Sequence, residues 1–356
     1  MNISTKQEDE FYSFKKEKNG YEWWYFDAIS ADKEWSLVVI FYHGNPFSPN
    51  YMRSKYGDEP ASYPAISISV YRKGKPEFYS FQEYANSYFV WEEEKQEFNC
   101  LVGGSSFRKN EIFQEVEYEL NLNQLLDSGH SISGKLKFIA TRTSPKLINK
   151  EESKEKHFWN LLQPKAKVVG NLKIKGKTDD YHIAFHGSGY HDHNVGEEPM
   201  GHSFKDWYWG RIHMGRETLL YYVMNGYDGK QHEAWLIDEE NQNIASYFEQ
   251  IELKKPAKTL FGLQYFKEIH LLGIRGDIIV QLKNRVDNGP FYQRFLAEAS
   301  YAGETEKKSY TGFAEYINPR EIENDSFWWM IEMRLRYMRQ KPHWVQKTKF
   351  LYELTW

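Results

Sequence analysis

The sequence predicts an all-β protein of 356 residues, and three observations carry that prediction. Short runs alternate apolar and polar residues along most of the chain, which is the period of a strand with one buried face. Turn-forming stretches separate these runs at hairpin spacing. Aromatic residues, which favour pleated surfaces, make up 17% of the chain, with 12 Trp, 26 Tyr and 23 Phe.

In chain order, YEWWYFDAI (21–29) and WSLVVIFYH (35–43) flank SADKE and read as a hairpin. AISISVYR (65–72) meets KGKPEFYSF (73–81) across a Gly turn. EVEYELNLN (115–123) and SGKLKFIAT (133–141) pair around QLLDSGHSI. KVVGNLKIKG (167–176) and DYHIAFHGSGY (180–190) pair across a turn near Lys177 and Thr178. DWYWGRIHM (206–214) and TLLYYVMNGY (218–227) form a hairpin across Gly215 to Glu217. HEAWLID (232–238), EIHLLG (268–273), DIIVQLKNRV (277–286) and YTGFAEYI (310–317) complete the set. Many short strands joined by turns imply sandwiches or barrels.

One helix is expected near the C-terminus. Asp325 or Ser326 caps it, Ile331, Leu335 and Met338 fall at helical spacing, and Pro342 lies past its end. It reads as a cap on a barrel or sheet; RLRYMRQK also sets cations beside aromatics, the pattern of a membrane-surface helix. The polar run SPKLINKEESKEKH (144–157) reads as an exposed excursion. EWWYFDA in the first half is echoed by DWYWGRI in the second, which divides the chain into modules 1–200 and 201–356.

Charge and cysteine content exclude several functions. With 46 Lys+Arg against 50 Asp+Glu there is no global basic field to hold a nucleic acid. The single Cys100 forms no internal disulfide and builds no thiolate zinc cluster. The polar start MNISTKQEDEFYSFKKEKNG has no apolar signal core, and no stretch approaches the ~18 apolar residues of a span. The expectation is a cytoplasmic protein, with peripheral contact to the inner face of a membrane left open. No G-x-S-x-G elbow occurs, so a serine-hydrolase mechanism has no support.

The stretch GSGYHDHNVG (187–196) carries the concentration of polar chemistry. Its glycines are expected to let the backbone turn sharply. If it is extended, His191 and His193 point one way and Asp192 the other. Three readings stay open. Two His at this spacing can ligate a metal, though no third ligand has diagnostic spacing. Asp192 between two imidazoles in an aromatic pocket can hand a proton to an alkene, with ring faces holding the cation; this chemistry calls on no cofactor. The polar side chains can also simply bond backbone groups, which is what spacing alone favours. On the strand that follows, Trp207, Trp209, Arg211 and His213 share one face, and Tyr208, Gly210 and Ile212 the other. Two indoles, a guanidinium and an imidazole suit a pocket wall.

EWWYFDA (22–28), HFWNLLQPKAKVVGNLKI (157–174), GSGYHDHNVG, WYWGRIH (207–213) and GFAEYI (312–317) occur in this order. Together they resemble the acyclic carotenoid 1,2-hydratases, or hydroxyneurosporene synthases, whose relatives include lipocalin-like predicted hydrolases and fungal Diels–Alderases. The resemblance implies two lipocalin-like β modules, a hydrophobic pocket, and cofactor-free addition of water to a terminal double bond of an acyclic carotenoid or other isoprenoid polyene. It implies Asp192 as the proton donor, His193 as its partner base, and His191 and Tyr222 as further catalytic residues. Trp24, Tyr190, Trp207, Trp209, Arg211 and His213 would line the substrate. The chain departs from the family pattern at Val195, where the family places a tryptophan, and at LLYYVMN, where Tyr221 and Tyr222 are followed by no aspartate. These departures fit equally a pericyclase, cyclase or isomerase of a polyene, and a non-catalytic carrier of an apolar ligand is the third alternative.

Overall fold

Alternation along the chain resolves into two sheets, each closing over its own apolar face. The computed structural model describes residues 1–10, 20–53, 63–94, 97–141, 156–227, 229–240, 243–260, 262–303 and 308–356. The chain divides into two units. One joins the N-terminal half, up to Pro199, with the C-terminal segment Trp328–Trp356; the other is Met200–Phe327.

The first unit contains β1 (Asn2–Ser4), β2 (Tyr21–Ser30), β3 (Trp35–Gly44), β4 (Ala65–Arg72), β5 (Lys75–Glu83), β6 (Phe89–Glu94), β7 (Glu97–Val102), β8 (Ser105–Ile112), β9 (Glu115–Leu125), β10 (Ser131–Thr141), β11 (His157–Lys175) and β12 (Asp180–Gly196). Hydrogen bonding orders the main path β5-β4-β3-β2-β12-β11-β10-β9-β8-β7-β6, with β1 added in parallel to β11. The sheet curls until strands far apart in this order meet. Trp24 of β2 stacks on Trp91 of β6 at 5.2 Å, and Phe41 of β3 lies 4.9 Å from Phe107 of β8. The enclosed face is the core, from Trp24, Phe26 and Ala28 round to Leu136 and Phe138.

A helical turn of the first unit, α1 (Pro49–Arg53), follows β3. The second unit opens with another, α2 (Met200–Ser203). It is a closed barrel of β13 (Phe204–His213), β14 (Glu217–Gly226), β15 (Lys230–Asp238), β16 (Ile244–Lys258), β17 (Gln264–Gly273), β18 (Ile278–Asn288), β19 (Tyr292–Tyr301) and β20 (Tyr310–Ile317). Tyr208 and Ile212 pack in its core with Tyr221, Phe295 and Ala314. The predicted all-β class, with a barrel and a C-terminal helix, is therefore what the chain forms. Strands 65–72 and 310–317 match their expected limits residue for residue.

Two local expectations need correction. The stretch 187–196 is not a turning loop but the second half of β12, paired on one side with β11 and on the other with β2. Its glycines serve close approach. A side chain on Gly189 would meet Asp27 O, Phe138 and Val168 at 2.6 Å each, and one on Gly196 would enter the Tyr21 ring. The C-terminal helix is also shorter than its apolar spacing implies. Asp325 and Ser326 lie in a 3₁₀ turn, and α3 (Trp328–Arg334) stops before Leu335. Leu335–Tyr337 instead becomes β21, which pairs in parallel with Phe81–Glu83 on the open edge of β5. The unpaired edge of β5 thus captures the backbone that helical spacing assigned to α3. This pairing groups the C-terminal segment with the first unit. Most of the polar excursion 144–157 lies outside the described residues.

Gly189→Ala tests the close-approach role. Three contacts at 2.6 Å leave no room for a methyl group, so the substitution should cost about 1–3 kcal/mol. Urea unfolding followed by tryptophan fluorescence measures it.

Candidate active site

The motif residues sit on an interior strand, so the pleat of β12 sorts them onto two faces. His191 and His193 face the core of the first unit. Tyr190, Asp192 and Asn194 face away from it, opposite Asp27, Tyr25 and Trp23 of β2.

On the core side, each imidazole is engaged by a carboxylate. His193 Nε2 lies 2.7 Å from Glu22 Oε1, and its ring stacks on Trp24 at 4.9 Å. His191 stacks on Phe26 at 3.9 Å, donates from Nδ1 to Tyr25 O at 2.9 Å, and places Nε2 2.9 Å from Glu10 Oε1. With Nδ1–H committed to a carbonyl, this last contact holds one proton between His191 and Glu10. Tyr118 O–H donates to the other oxygen of Glu10, and Lys109 Nζ lies 3.3 Å from it. Burial works to raise the Glu10 pKa, but Lys109 and the bonds from His191 and Tyr118 outweigh it and hold the carboxyl below its usual range. Burial pulls His191 down, against the pull of Glu10. Residues 7–10 reach this cluster as a short 3₁₀ turn, anchored by Gln7 Nε2 donating to Leu162 O and by Lys109 donating to Gln7 O. Both histidines are thus built into the core, and neither shares a face with Asp192.

The opposite face carries a different arrangement. Three neutral groups donate to Asp192: Trp159 Nε1 at 2.8 Å and Tyr190 O–H at 2.7 Å to Oδ2, and Asn194 Nδ2 at 2.8 Å to Oδ1. Asn194 also bonds His157, whose Nδ1 lies 2.9 Å from Tyr21 O–H. Burial pushes the His157 pKa down to about 3, so its ring is neutral. Tyr25 meets Tyr190 edge to face at 6.1 Å, and Trp23 stacks on Tyr21 at 5.2 Å. With the buried Asp27 opposite Tyr190 on the same face, the result is a carboxyl group buried at 4% exposure among aromatic rings and hydrogen-bond donors. It can exchange a proton and offer a negative charge to a cation.

In the barrel, the predicted alternation of β13 holds. Tyr208 and Ile212 point to the core, and Trp207, Trp209, Arg211 and His213 point outward. These outward residues are nonetheless largely buried, Arg211 completely. Trp207 lies between Phe204 at 4.5 Å and Tyr222 at 6.5 Å, and Tyr222 donates to Met224 Sδ at 3.4 Å. His213 Nδ1 pairs with Thr218 Oγ1 at 2.7 Å. The barrel face is therefore aromatic and carries buried Arg211 and, paired with Glu315 opposite Trp209, buried Arg294.

The sequence reading missed Glu10, Trp159, Asn194 and His157. Trp159, Asn194 and His157 lie in stretches already singled out. Their signal was strand parity: Trp159 pairs with Asn194, which places it on the Asp192 face. Glu10 carried no local signal. Among the described residues, no group of three or more His, Cys, Asp or Glu side chains could hold a metal ion.

Comparison with known proteins agrees with the fold and adds a lineage. A family model described as carotenoid hydratase CrtC matches residues 39–343. The hydroxyneurosporene dehydrogenase of Chlorobaculum tepidum is 27% identical, over 91% of this chain and 89% of its own length. An acyclic carotenoid 1,2-hydratase of Thiocapsa roseopersicina is 22% identical over 80% of this chain and 66% of its own. A quinolone epoxide rearrangement protein of Emericella nidulans is 26% identical over 62% of this chain and 59% of its own. Among solved structures, CghA matches at TM-score 0.62 and 12% identity, covering 85% of this chain and 88% of that one. A Nitrosomonas europaea protein designated AttH matches at TM-score 0.59 and 14% identity, covering 89% and 97%.

The buried neutral His157 predicts a pH effect. Its folded pKa lies below the ordinary 6.5. Below that value the unfolded chain takes up a proton that the native ring refuses, so stability falls as pH drops from 6.5 toward 3. His157→Gln should flatten this slope by up to about 1.4 kcal/mol per pH unit, read from denaturant midpoints measured across that interval.

Proposed function

The chain belongs to the carotenoid hydratase family, and from that premise we propose that it is a lyase adding water across a carbon–carbon double bond of an acyclic carotenoid or other isoprenoid polyene. The observation that carries this reading is the convergence of Trp159, Tyr190 and Asn194 on the buried Asp192 carboxyl group.

Hydration of a terminal isoprenoid alkene is acid-first chemistry. In its acid form Asp192 gives its proton to the CH carbon of the terminal double bond; the O–H bond breaks, a C–H bond forms, and the positive charge falls on the dimethyl-substituted carbon. The carboxylate left behind is stabilised by the three donors already aimed at it. The tertiary cation is held by the carboxylate and by the ring faces of Trp159, Tyr190 and Tyr25. Water adds to the cation, and its surplus proton returns to Asp192. Alkene plus water gives tertiary alcohol, and the carboxyl group ends in the form in which it began. One carboxyl group serves as acid and then base, so the reaction does not call on His193, which faces the core.

A second reading has its own support in the quinolone epoxide rearrangement relatives. Epoxide opening also begins with a proton delivered to the substrate, and the same carboxyl group suits it. Rearrangement or cyclisation leaves product mass equal to substrate mass, whereas hydration adds one water. The departures at Val195 and Tyr222 bear on which of the two this chain performs.

The test is incubation of the purified protein with acyclic carotenes dispersed in detergent, followed by mass analysis of the extract. A product heavier by one water supports hydration. Asp192→Asn should lower turnover at least ~10²-fold. Trp159→Phe, which removes one neutral donor, should lower it about tenfold. Full activity in Asp192→Asn would remove the proposed acid.

A further inference from the structure

The C-terminal segment Trp328–Trp356 concentrates apolar surface and positive charge. Trp329, Met338, Trp344, Phe350 and Leu354 are between 44% and 66% exposed. They are five of the fourteen large apolar side chains that stand exposed among the described residues, on a segment of 29 residues. The segment carries six Lys or Arg against two Glu, a net charge of +4 in a chain whose total is −4. The remainder of the molecule is therefore at −8.

The elements of this segment pack on one another and form a single lobe. Gln346, in the 3₁₀ turn Trp344–Lys347, donates to Glu332 O and Leu335 O at the end of α3. Tyr352 of α4 (Lys349–Glu353) is buried and donates to Arg334 O at 3.4 Å. Two arginines serve the fold: Arg334 lies over the Tyr79 ring at 4.2 Å and Arg336 bonds Asp127 at 2.6 Å. Arg339, Lys341, Lys347 and Lys349 are exposed, interleaved with Met338, Trp344 and Phe350. Exposed indoles among ammonium and guanidinium groups are costly in water alone. They match the interface of a bilayer, where rings enter the headgroup layer and cations meet anionic lipid.

We propose that this lobe docks the protein on an anionic lipid surface. Binding itself is independent of the proposed activity. Its purpose rests on that reading: a polyene too apolar for water is held in a bilayer, and a docked enzyme meets it there.

The experiment is flotation of the full-length protein with phosphatidylcholine vesicles, pure or with about one-third phosphatidylglycerol. The expected result is binding to the anionic vesicles at least about tenfold stronger than to pure phosphatidylcholine, weakened by salt. Trp344→Ser with Phe350→Ser, and separately Lys347→Glu with Lys349→Glu, should each lower that binding about tenfold or more. These residues are exposed, so the variants keep the fold, checked by their thermal transitions. They should also retain wild-type turnover on detergent-dispersed substrate. Wild-type protein that stays unbound, or binding untouched by both pairs of substitutions, overturns the proposal. So does concentration-dependent association of the wild type that the same substitutions abolish, which would assign the lobe to self-contact. Vesicle binding without turnover on any carotene would instead overturn the proposed function and leave the docking surface standing.

Discussion

The two-residue repeat of an interior strand governs the chemistry available here. β12 is bonded along both edges, to β11 and β2, so it has no freedom to rotate a side chain from one face to the other. His191 and His193 must share the core face, and Asp192 must leave it. The close contacts at Gly189 and Gly196 lock this register, because neither position has room for a side chain. A motif that reads as one Asp–His constellation in sequence is thus two constellations back to back.

The parity of β12 and β13 was legible, because it needs only the assumption of an extended chain. So were most hairpins. What was not legible had physical reasons. β16 (Ile244–Lys258) has charged, exposed Glu252, Lys254 and Lys255 around half-buried Leu253, and Pro256 after them, which hides its strand periodicity. β6 runs into three consecutive glutamates, and β8 carries the polar run Arg108–Glu111 with Lys109 turned to the core, so both read as loop. The helix after Trp328 obeyed its spacing only until Leu335 found the open edge of β5, a tertiary event with no local trace. The glycines of 187–196 look like hinges in one dimension and are close-approach positions in three.

The candidate site was legible in part for the same reason. Asp192 and Tyr190 were named from the sequence and do lie together. His157, Trp159 and Asn194 join them only through the register of β11 against β12, which shifts at two irregularities between Leu161 and Ala166. A pairing rule extended across those shifts from the β11–β12 turn would keep Trp159 on the right face but set it opposite Gly196, two residues past its true partner Asn194. Glu10 reaches His191 across 181 positions of sequence, beyond any pattern that spacing can reveal.

The surroundings of Glu10, Glu22 and Asp192, three of the buried carboxyl groups of this region, support the proposal that Asp192 is the reacting one. Glu10 faces a lysine at 3.3 Å and an imidazole at 2.9 Å. Glu22 faces an imidazole at 2.7 Å. Their oxygens are bound to groups that carry, or can take up, positive charge, and His191 and His193 are stacked on Phe26 and Trp24 within the core. Three of the donors to Asp192 are an indole, a phenol and an amide, each neutral. Neutral donors steady a carboxylate without cancelling its charge. Two carboxylates thus hold histidines in the sheet interior, while Asp192, with Asp27 opposite Tyr190, lies on the other face. Burying Lys109 and two imidazoles is costly unless each is paired. That cost explains why the core carboxylates are committed, and it supports the proposal that the chemistry uses the opposite face.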